Sequence, residues 1–400
     1  MLRSMFRAAL AMCVVVGHAA MAQQYDPGAS ATEIRLGQTM PYSGPVSVAG
    51  ATGLASLAYF AAVNKAGGIN GRQIKLLSLD DGYSPPKTVE ATRRLVEDDK
   101  VLMIYGSVGT PTNAAVEKYL NLKKVPQLFV TTGAGRFRDP KAFPWTMGFL
   151  PGYIAEGRAM ARYVLATVPA PKIAVLYQDD DLGKDFRAGF RAGLGDKAAS
   201  LIVSEQTFEV ADPTVDSQVS AAQASGANVF YFAGTQKAGA EQIRKRHDLR
   251  WTPLHLVCSI ASGVETVLKP AGLDNAEGLV STAYAKDPFD PTWADDPDVK
   301  TFLAWVQQNL SQGNPRDPGT VGGYIVSWLA AYILDQAGST LTRENILTIA
   351  THLDHLRAPM LLPGITITTT PTDYTGIGSF QIQVFRNGRW VPVGKTISGE

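Results

Sequence analysis

Short apolar runs rich in β-branched residues alternate with longer helical patterns along most of the chain. In a first series the runs predict strands at 34–39, 73–79, 101–105 and 127–130, and helices at 46–66, 85–99 and 112–122. A second series predicts helices at 154–166, 182–194, 213–224 and 237–247, and strands at 172–177, 201–207, 228–232 and 254–257. Alternation of this kind is typical of mostly parallel sheets flanked by helices. Because it occurs twice, the sequence predicts an α/β protein of two lobes, with a first crossing at 144–151.

The last third of the chain has a different pattern. After residue 281 it becomes mostly helical, with helices predicted at 299–310, 321–336 and 343–350. Two apolar runs, 379–385 and 389–393, flank Asn387-Gly388, a dipeptide that favours tight hairpin turns. The chain is therefore expected to end in a β-hairpin.

The first 22 residues have the composition of an export signal. Arg3 and Arg7 precede an apolar run at 8–17, and Ala20-Met21-Ala22 forms a small-x-small cleavage site. The run is shorter than the ~20 residues that span a bilayer. We therefore expect residues 1–22 to be a signal peptide cleaved after Ala22 and the mature chain to be periplasmic, although a lipid anchor on Cys13 is an alternative.

Two later apolar stretches, 46–63 and 321–334, resemble membrane segments only superficially. The first contains several glycines and hydroxyl residues, and the second is too short to span a bilayer. We interpret both as buried helices, so no transmembrane segment is expected in the mature chain.

Charge and cysteine content narrow the function classes. Of the 37 lysine and arginine residues, Arg3 and Arg7 leave with the signal, so 35 remain against 36 acidic residues. This balance, without any basic run, argues against a nucleic-acid partner. Cys258 is the one cysteine left after cleavage, so no internal disulfide is expected and packing must stabilise the fold.

Five segments in order resemble the periplasmic leucine/isoleucine/valine-binding proteins, the receptors of branched-chain amino acid ABC importers. They are Ile34-Arg35-Leu36-Gly37 with Ser43-Gly44-Pro45, the glycine turn at 64–71, Asp80-Asp81, the stretch 106–113, and 182–186. The resemblance implies the type I periplasmic-binding fold, with two lobes joined by three crossings. It assigns 33–150 and 282–360 to lobe 1, and 151–281 and 361–395 to lobe 2.

The resemblance also implies a ligand site in the cleft, where loops leave the carboxyl ends of the strands. The residues expected to bind the ligand come from loops of both lobes: Tyr42, Ser43, Thr110, Thr112, Thr132, Gly133, Ala134, Phe149, Tyr153, Asp181, Thr235, Gln236, Ser259 and Ile260. Thr110 and Thr112 open a helix whose free N–H groups suit a carboxylate, although either threonine could serve only as a cap. Asp181 could contact the ligand or, with Asp179 and Asp180, cap the next helix.

One departure from the family concerns the ligand itself. Amino-acid binders hold the ammonium with an acid in the loop that aligns with 258–262, and no acid is present there. A buried ammonium without an acceptor is costly. We therefore hypothesise a carboxylate without an ammonium, such as an aromatic or branched acid, or an amide, unless Asp181 takes over the ammonium.

Two other functions are alternatives to that of an importer receptor. A ligand-sensing protein of a signalling system has the same fold, and the sequence does not separate the two. An exported hydrolase is disfavoured because no G-x-S-x-G motif is present and no triad or zinc set can be assembled from the histidines. We expect no enzymatic activity, no cofactor and no metal, with a small molecule and importer membrane subunits as partners.

Overall fold

The computed structural model describes residues 24–311 and 313–399. The signal peptide, its cleavage site and Cys13 lie outside the described residues. The strands are β1 Gln24–Tyr25, β2 Glu33–Met40, β3 Gln73–Asp80, β4 Met103–Tyr105, β5 Gln127–Val130, β6 Thr146–Gly148, β7 Ile173–Gln178, β8 Ile202–Phe208, β9 Val229–Ala233, β10 Leu254–Val257, β11 Val280–Ala283, β12 Thr340–Leu341, β13 Ile367–Thr370, β14 Asp373–Ile377, β15 Ser379–Arg386 and β16 Arg389–Ser398.

Helices follow most of the parallel strands. They are α1 Ala51–Lys65, α2 Pro85–Arg93, α3 Thr110–Leu122, α4 Tyr153–Thr167, α5 Asp181–Leu194, α6 Ala198–Leu201, α7 Asp216–Ala224, α8 Gln236–Asp248, α9 Lys269–Ala271, α10 Pro297–Asn309, α11 Pro318–Ala337 and α12 Arg343–Ala350. Every helix predicted from the sequence is present, with ends shifted by a few residues.

The first lobe is built on a five-stranded parallel sheet in the order β3-β2-β4-β5-β6. The β2–β3 pair runs in unbroken register from Glu33 opposite Gln73 to Met40 opposite Asp80. Strand β6 lies inside 144–151, the stretch predicted to be the first crossing. This strand was not predicted, but the chain leaves the lobe just after β6, within the predicted stretch: Leu150 packs in the core of lobe 1 and Tyr153 in that of lobe 2.

The second lobe contains a seven-stranded sheet in the order β16-β15-β11-β10-β9-β7-β8. Its central strands are parallel, and the C-terminal hairpin β15–β16 adds antiparallel strands at one edge beside β11. The hairpin confirms the turn predicted at Asn387-Gly388. Strand β11 was missed, since the sequence beyond 281 reads as mostly helical.

Helix α1, with the 3₁₀ turn before it, is the one described segment (Ser47–Lys65) long and apolar enough to span a membrane by length and composition. It packs against α11 so closely that a side chain on Gly323 would collide with the backbone oxygen of Thr52. Its buried face includes Ala55 and Phe60. This packing agrees with a core helix of lobe 1.

The C-terminal segment differs from the predicted lobe boundary at residue 361. Leu361, Ile367, Tyr374 and Ile377 pack into the hydrophobic core of lobe 1, and β13 pairs with β14 as a small hairpin there. The chain therefore enters the second lobe at β15, near Gly378. Apolar contact with the core of lobe 1 decides to which lobe this segment belongs, and the local sequence does not indicate that contact.

Candidate ligand-binding cleft

A cleft with a cavity volume of about 150 Å³ lies between the two lobes, at the carboxyl ends of their parallel strands. The residues that line it come from both lobes and from the start of α11: Val46, Val48, Ala49, Thr52, Tyr83, Val108, Gly109, Thr110, Thr131, Leu150, Tyr153, Leu182, Thr235, Gln236, Ser259, Ile260, Thr266, Tyr284, Asp317, Pro318, Gly319 and Gly322.

Thr110 begins α3 at the floor of the cleft on the lobe 1 side. No side chain caps this helix, its second residue Pro111 has no N–H, and the Thr110 N–H donates to the Tyr83 hydroxyl. The Thr110 Oγ1 lies 2.7 Å from Thr132 Oγ1, which fixes the Thr110 rotamer from behind. Thr112 instead donates its hydroxyl to the Val108 carbonyl oxygen at 3.0 Å. The uncapped helix end and the Thr110 hydroxyl together form a favourable place for an anion.

Two buried tyrosines flank this helix end. Tyr83 follows β3 with a left-handed backbone (φ 60°) and reaches across the cleft to the Gln178 side chain of lobe 2. Tyr153 opens α4 and stacks on Phe186 with ring centroids 4.3 Å apart. Burial raises the pKa of both phenols above the ordinary value, so they remain neutral hydrogen-bonding groups at physiological pH.

The lobe 2 wall contains a second uncapped helix start and a braced loop. Helix α8 begins after Thr235, whose side chain does not cap it. Ser259 donates both its N–H and its hydroxyl to the buried Glu156 carboxylate, each at 2.7 Å. Burial raises the pKa of Glu156 to about 7, against the lowering effect of these hydrogen bonds. The acid expected in the 258–262 loop is thus replaced by one behind the loop, with both oxygens engaged.

Asp317 is the only aspartate, glutamate, lysine, arginine or histidine that lines the cleft in the described part of the chain. It is the N-cap of α11 and accepts a hydrogen bond from the Gly319 N–H at 2.7 Å. Burial raises its pKa to about 6, and the nearby Glu265 adds to this shift. It lines the same cleft as the uncapped starts of α3 and α8, so the cleft can pair with a carboxylate and with a hydrogen-bond donor.

Six of the fourteen residues expected from the sequence line the cleft: Thr110, Tyr153, Thr235, Gln236, Ser259 and Ile260. Thr132 lies directly behind Thr110, and Thr112 points back to its own loop. Gly133 lets the chain pass close to Pro151 and Tyr153, where a side chain would collide. Their contact with a ligand stays a prediction.

Five further residues of that set lie away from the cleft lining. Ala134 is fully buried, and Phe149 is buried with its ring edge against Tyr284 at 6.3 Å. The Tyr42 hydroxyl lies 2.6 Å from Ser78 Oγ, and Ser43 donates its hydroxyl to Asp80. Asp181 pairs with Arg136 at 2.8 Å. The polar groups of Tyr42, Ser43 and Asp181 thus each have a partner within the protein.

Contacts between the lobes close one side of the cleft. Arg136 of lobe 1 reaches Asp181 of lobe 2 and also the buried Glu117 at 2.9 Å. The Gly135 N–H donates to the Asp185 carboxylate of lobe 2 at 2.7 Å. Asp180, not Asp181, caps α5 by accepting from the N–H groups of Leu182 and Gly183. These contacts join the two lobes beside the cleft.

Sequence reasoning missed several lining residues, above all Tyr83, Tyr284, Asp317 and Gly322. Tyr83 follows Asp80-Asp81, a segment already singled out, and Asp317-Pro318 is a typical helix start before an apolar run. Nothing in the local sequence brings either to Thr110, because they are separated by up to 207 positions. Within the described residues, no group of three or more histidine, cysteine, aspartate or glutamate side chains is arranged to hold a metal.

Comparisons with known proteins agree with this architecture. A Leu/Ile/Val-binding protein homolog of Brucella melitensis is 26% identical over 314 residues, covering 78% of this chain and 81% of the relative. An amino acid binding protein of Pseudomonas aeruginosa is 27% identical over 194 residues, 46% of this chain and 49% of that protein.

Solved structures extend the likeness to the fold. A substrate-binding periplasmic protein from Ralstonia solanacearum superposes with a TM-score of 0.80 at 24% identity, covering 90% of this chain and 100% of that one. A branched-chain amino acid ABC transporter protein from Thermus thermophilus with bound valine superposes with a TM-score of 0.81 at 18% identity, covering 92% of this chain and 97% of that one. The family model "Periplasmic binding protein" matches residues 33–388. The chain therefore belongs to this family of periplasmic binding proteins, with the type I fold and with leucine/isoleucine/valine-binding proteins among its relatives.

Proposed function

We propose that this protein is the solute-binding receptor of an ABC importer and that it closes on a small molecule bearing a carboxylate. The observation that carries the proposal is the interlobe cleft with the uncapped start of α3 and the Thr110 hydroxyl at its floor. Helix N-termini favour anions through free N–H groups and the helix dipole. The uncapped start of α8 adds a second such group from the facing lobe.

The rest of the ligand is apolar. Aliphatic side chains and three tyrosines make up much of the cleft wall, including Leu150, Leu182 and Ile260. No lysine, arginine or histidine lines the cleft in the described residues, so a ligand with a second anionic group has no cation to pair with. We infer an aromatic or branched carboxylate, with Asp317 as the acceptor for any amine, amide or hydroxyl that it carries.

Relatives support the importer role. The Thermus thermophilus protein is described as part of a branched-chain amino acid ABC transporter and holds valine, and a Thermomonospora curvata neighbour (TM-score 0.77) is described as a fatty acid ABC transporter substrate-binding protein. Both kinds of ligand carry a carboxylate and an apolar tail. We propose that the chain acts in the periplasm, after export directed by residues 1–22.

Hinge closure is the proposed mechanism. A ligand that contacts both lobes stabilises the closed arrangement by its greater affinity for that state. Arg136–Asp181 and Tyr83–Gln178 join the two lobes, so opening of the hinge would break them. Importer membrane subunits would then distinguish the loaded receptor from the empty one by its shape.

A ligand panel tests the proposal. Purified mature protein is screened by thermal shift against L-leucine, L-valine, L-phenylalanine, 3-phenylpropionate, benzoate and the amide of each acid. Saturation at ~100 Kd stabilises the protein by ~2.7 kcal/mol, a readily measured shift. Small-angle scattering with the best ligand should show compaction. Absence of any shift and of any compaction across the panel would contradict the receptor function, and tighter binding of the amides than of the parent acids would contradict recognition of a carboxylate.

A further inference from the structure

Gly322 is an unusual residue for its position in the fold. It lies in the second turn of the 20-residue helix α11, where glycine is the poorest helix former after proline. The residue is buried. A Cβ built on it would nevertheless meet no atom within 4 Å. The glycine is therefore not required by close packing, and the space over it is part of the interlobe cleft and is unfilled by the protein.

Its neighbours on the same helix show the contrast. A side chain on Gly323 would collide with Thr52, and one on Gly319 would crowd Ala51. Those two glycines allow α1 and α11 to approach closely. Gly322 points elsewhere, into the interlobe cleft that it lines together with Ala49 and Thr52.

Apolar surface in a cleft that opens to water is unfavourable, and an apolar group that covers it gains free energy. A glycine that weakens a core helix in order to leave space in the cleft is best explained by an occupant that fills it. Since the walls near it are mostly apolar, the occupant is an apolar group.

We propose that the space over Gly322 is the subsite for the ligand's apolar tail, and that Gly322 sets the size of that tail, favouring an aryl group or a long branched chain over a small one. This inference rests on the proposed function, since the tail belongs to a molecule whose carboxylate is held at Thr110.

The test measures stability and affinity together in two variants. Gly322→Ala adds one methyl group to open space in a helix, so the melting temperature of the ligand-free protein should rise, by about 2 °C. By calorimetry, its affinity for the tightest wild-type ligand in the panel should fall at least 5-fold. Gly322→Leu should abolish binding of L-phenylalanine and 3-phenylpropionate and shift the preference towards L-valine.

Asp335→Ala is the matched control. Asp335 is exposed near the far end of the same helix, where a negative charge opposes the helix dipole. Its replacement should stabilise α11 as well but leave every affinity unchanged, so stiffening of the helix is separated from filling of the subsite.

The outcomes separate this inference from the proposed function. If the wild type binds a panel member and Gly322→Ala changes no affinity, the subsite is wrong and the receptor stands. A lower melting temperature for Gly322→Ala would show that the space is not open and would also overturn the subsite. If no panel member binds the wild type and scattering never changes, the receptor function itself fails.

Discussion

The Ser259 N–H and hydroxyl both donate to the Glu156 carboxylate, at 2.7 Å each, so a buried acid of α4 holds the lobe 2 wall of the cleft from behind. Glu156 is 1% exposed. It takes the place of an acid in the loop itself, but it cannot reach a ligand with its oxygens already engaged. The loop is thus braced without supplying a charge to the cleft.

Glu156 should make stability depend on pH. Its pKa is raised from 4.5 to about 7 in the folded chain, so the folded state holds the proton more tightly than the unfolded state. The contribution of Glu156 to the free energy of unfolding should therefore be largest below pH 4.5. It should fall as the pH rises towards 7, by at most about 3 kcal/mol. In Glu156→Gln that part of the decline should vanish in urea unfolding at pH 5 and pH 7.5. Equal slopes in both proteins would show that Glu156 is not perturbed.

Thr110 should be the residue that holds the carboxylate. Thr110→Val keeps the shape and removes the hydroxyl, and loss of a hydrogen bond to a charged group costs about 1.5–3 kcal/mol, so the Kd of carboxylate ligands should rise at least 10-fold. Thr112→Val is the control, because that hydroxyl bonds the Val108 carbonyl oxygen instead of facing the cleft. Calorimetry on both variants measures the two Kd values. An equal rise in Kd at the two positions would contradict Thr110 as the residue that holds the carboxylate.

Asp317 should separate two classes of ligand. Asp317→Asn keeps an acceptor for the Gly319 N–H, and so the helix cap, while the charge is lost. Ligands with an ammonium should lose at least 10-fold in affinity, whereas carboxylates without one should bind as before. In the wild type the ammonium ligands should also weaken below about pH 6, where Asp317 takes up a proton.

The groups around Asp317 bear on that pH profile. Glu265 is the nearby acid, itself paired with Lys269 at 2.7 Å and with Arg316 at 3.8 Å. The tyrosines of the cleft titrate far above this range. A pH profile that persists in Asp317→Asn would assign the effect to another group.

The Arg136–Asp181 pair should affect closure more than folding. Asp181→Ala removes a half-exposed partner, so unfolding of the ligand-free protein should change by less than ~1 kcal/mol. Every ligand should lose about 2- to 5-fold in affinity, because the closed state loses a contact. Asp179→Ala, which breaks a pair with Lys184 within lobe 2, is the control. A loss confined to one ligand class would instead make Asp181 a ligand contact.

Arg136→Met acts differently, because it leaves Glu117 without its cation. The Glu117 side chain has no exposed surface, and leaving such a group without its partner costs about 1–3 kcal/mol, since Arg136 itself is 37% exposed. A drop of this size in the free energy of unfolding is therefore expected for Arg136→Met alone.

Long regular elements were predictable from the sequence, and so were short strands that alternate with helices, such as β4, β5 and β10. Strands β2 and β3 have eight residues each, and the Asn387-Gly388 turn has a chemistry of its own. Strand β6 was missed because it lies in a proline-bounded stretch that was interpreted as a crossing, and β11 because the sequence turns mostly helical there. The hairpin β13–β14 is assigned to its lobe only by apolar contact with a distant core.

Parts of the site could be predicted from the sequence where a single loop positions them without help from a distant segment. The loop at 106–113 correctly indicated a helix start at the cleft, but α3 begins at Thr110, two residues earlier than predicted. Because the helix starts there, the Thr112 hydroxyl donates to the Val108 carbonyl oxygen, and Thr110 lines the cleft. Asp317 and Gly322 enter from the far end of the chain, so only the fold brings them to the same space.

A crystal structure of the mature protein with its tightest panel ligand tests the central claim most directly. The account predicts density between the lobes, with the carboxylate within 3.2 Å of the Thr110 hydroxyl and of the α3 N–H groups and the tail over Gly322. Density on an outer surface, or a filled cleft with the carboxylate turned away from Thr110, would contradict it.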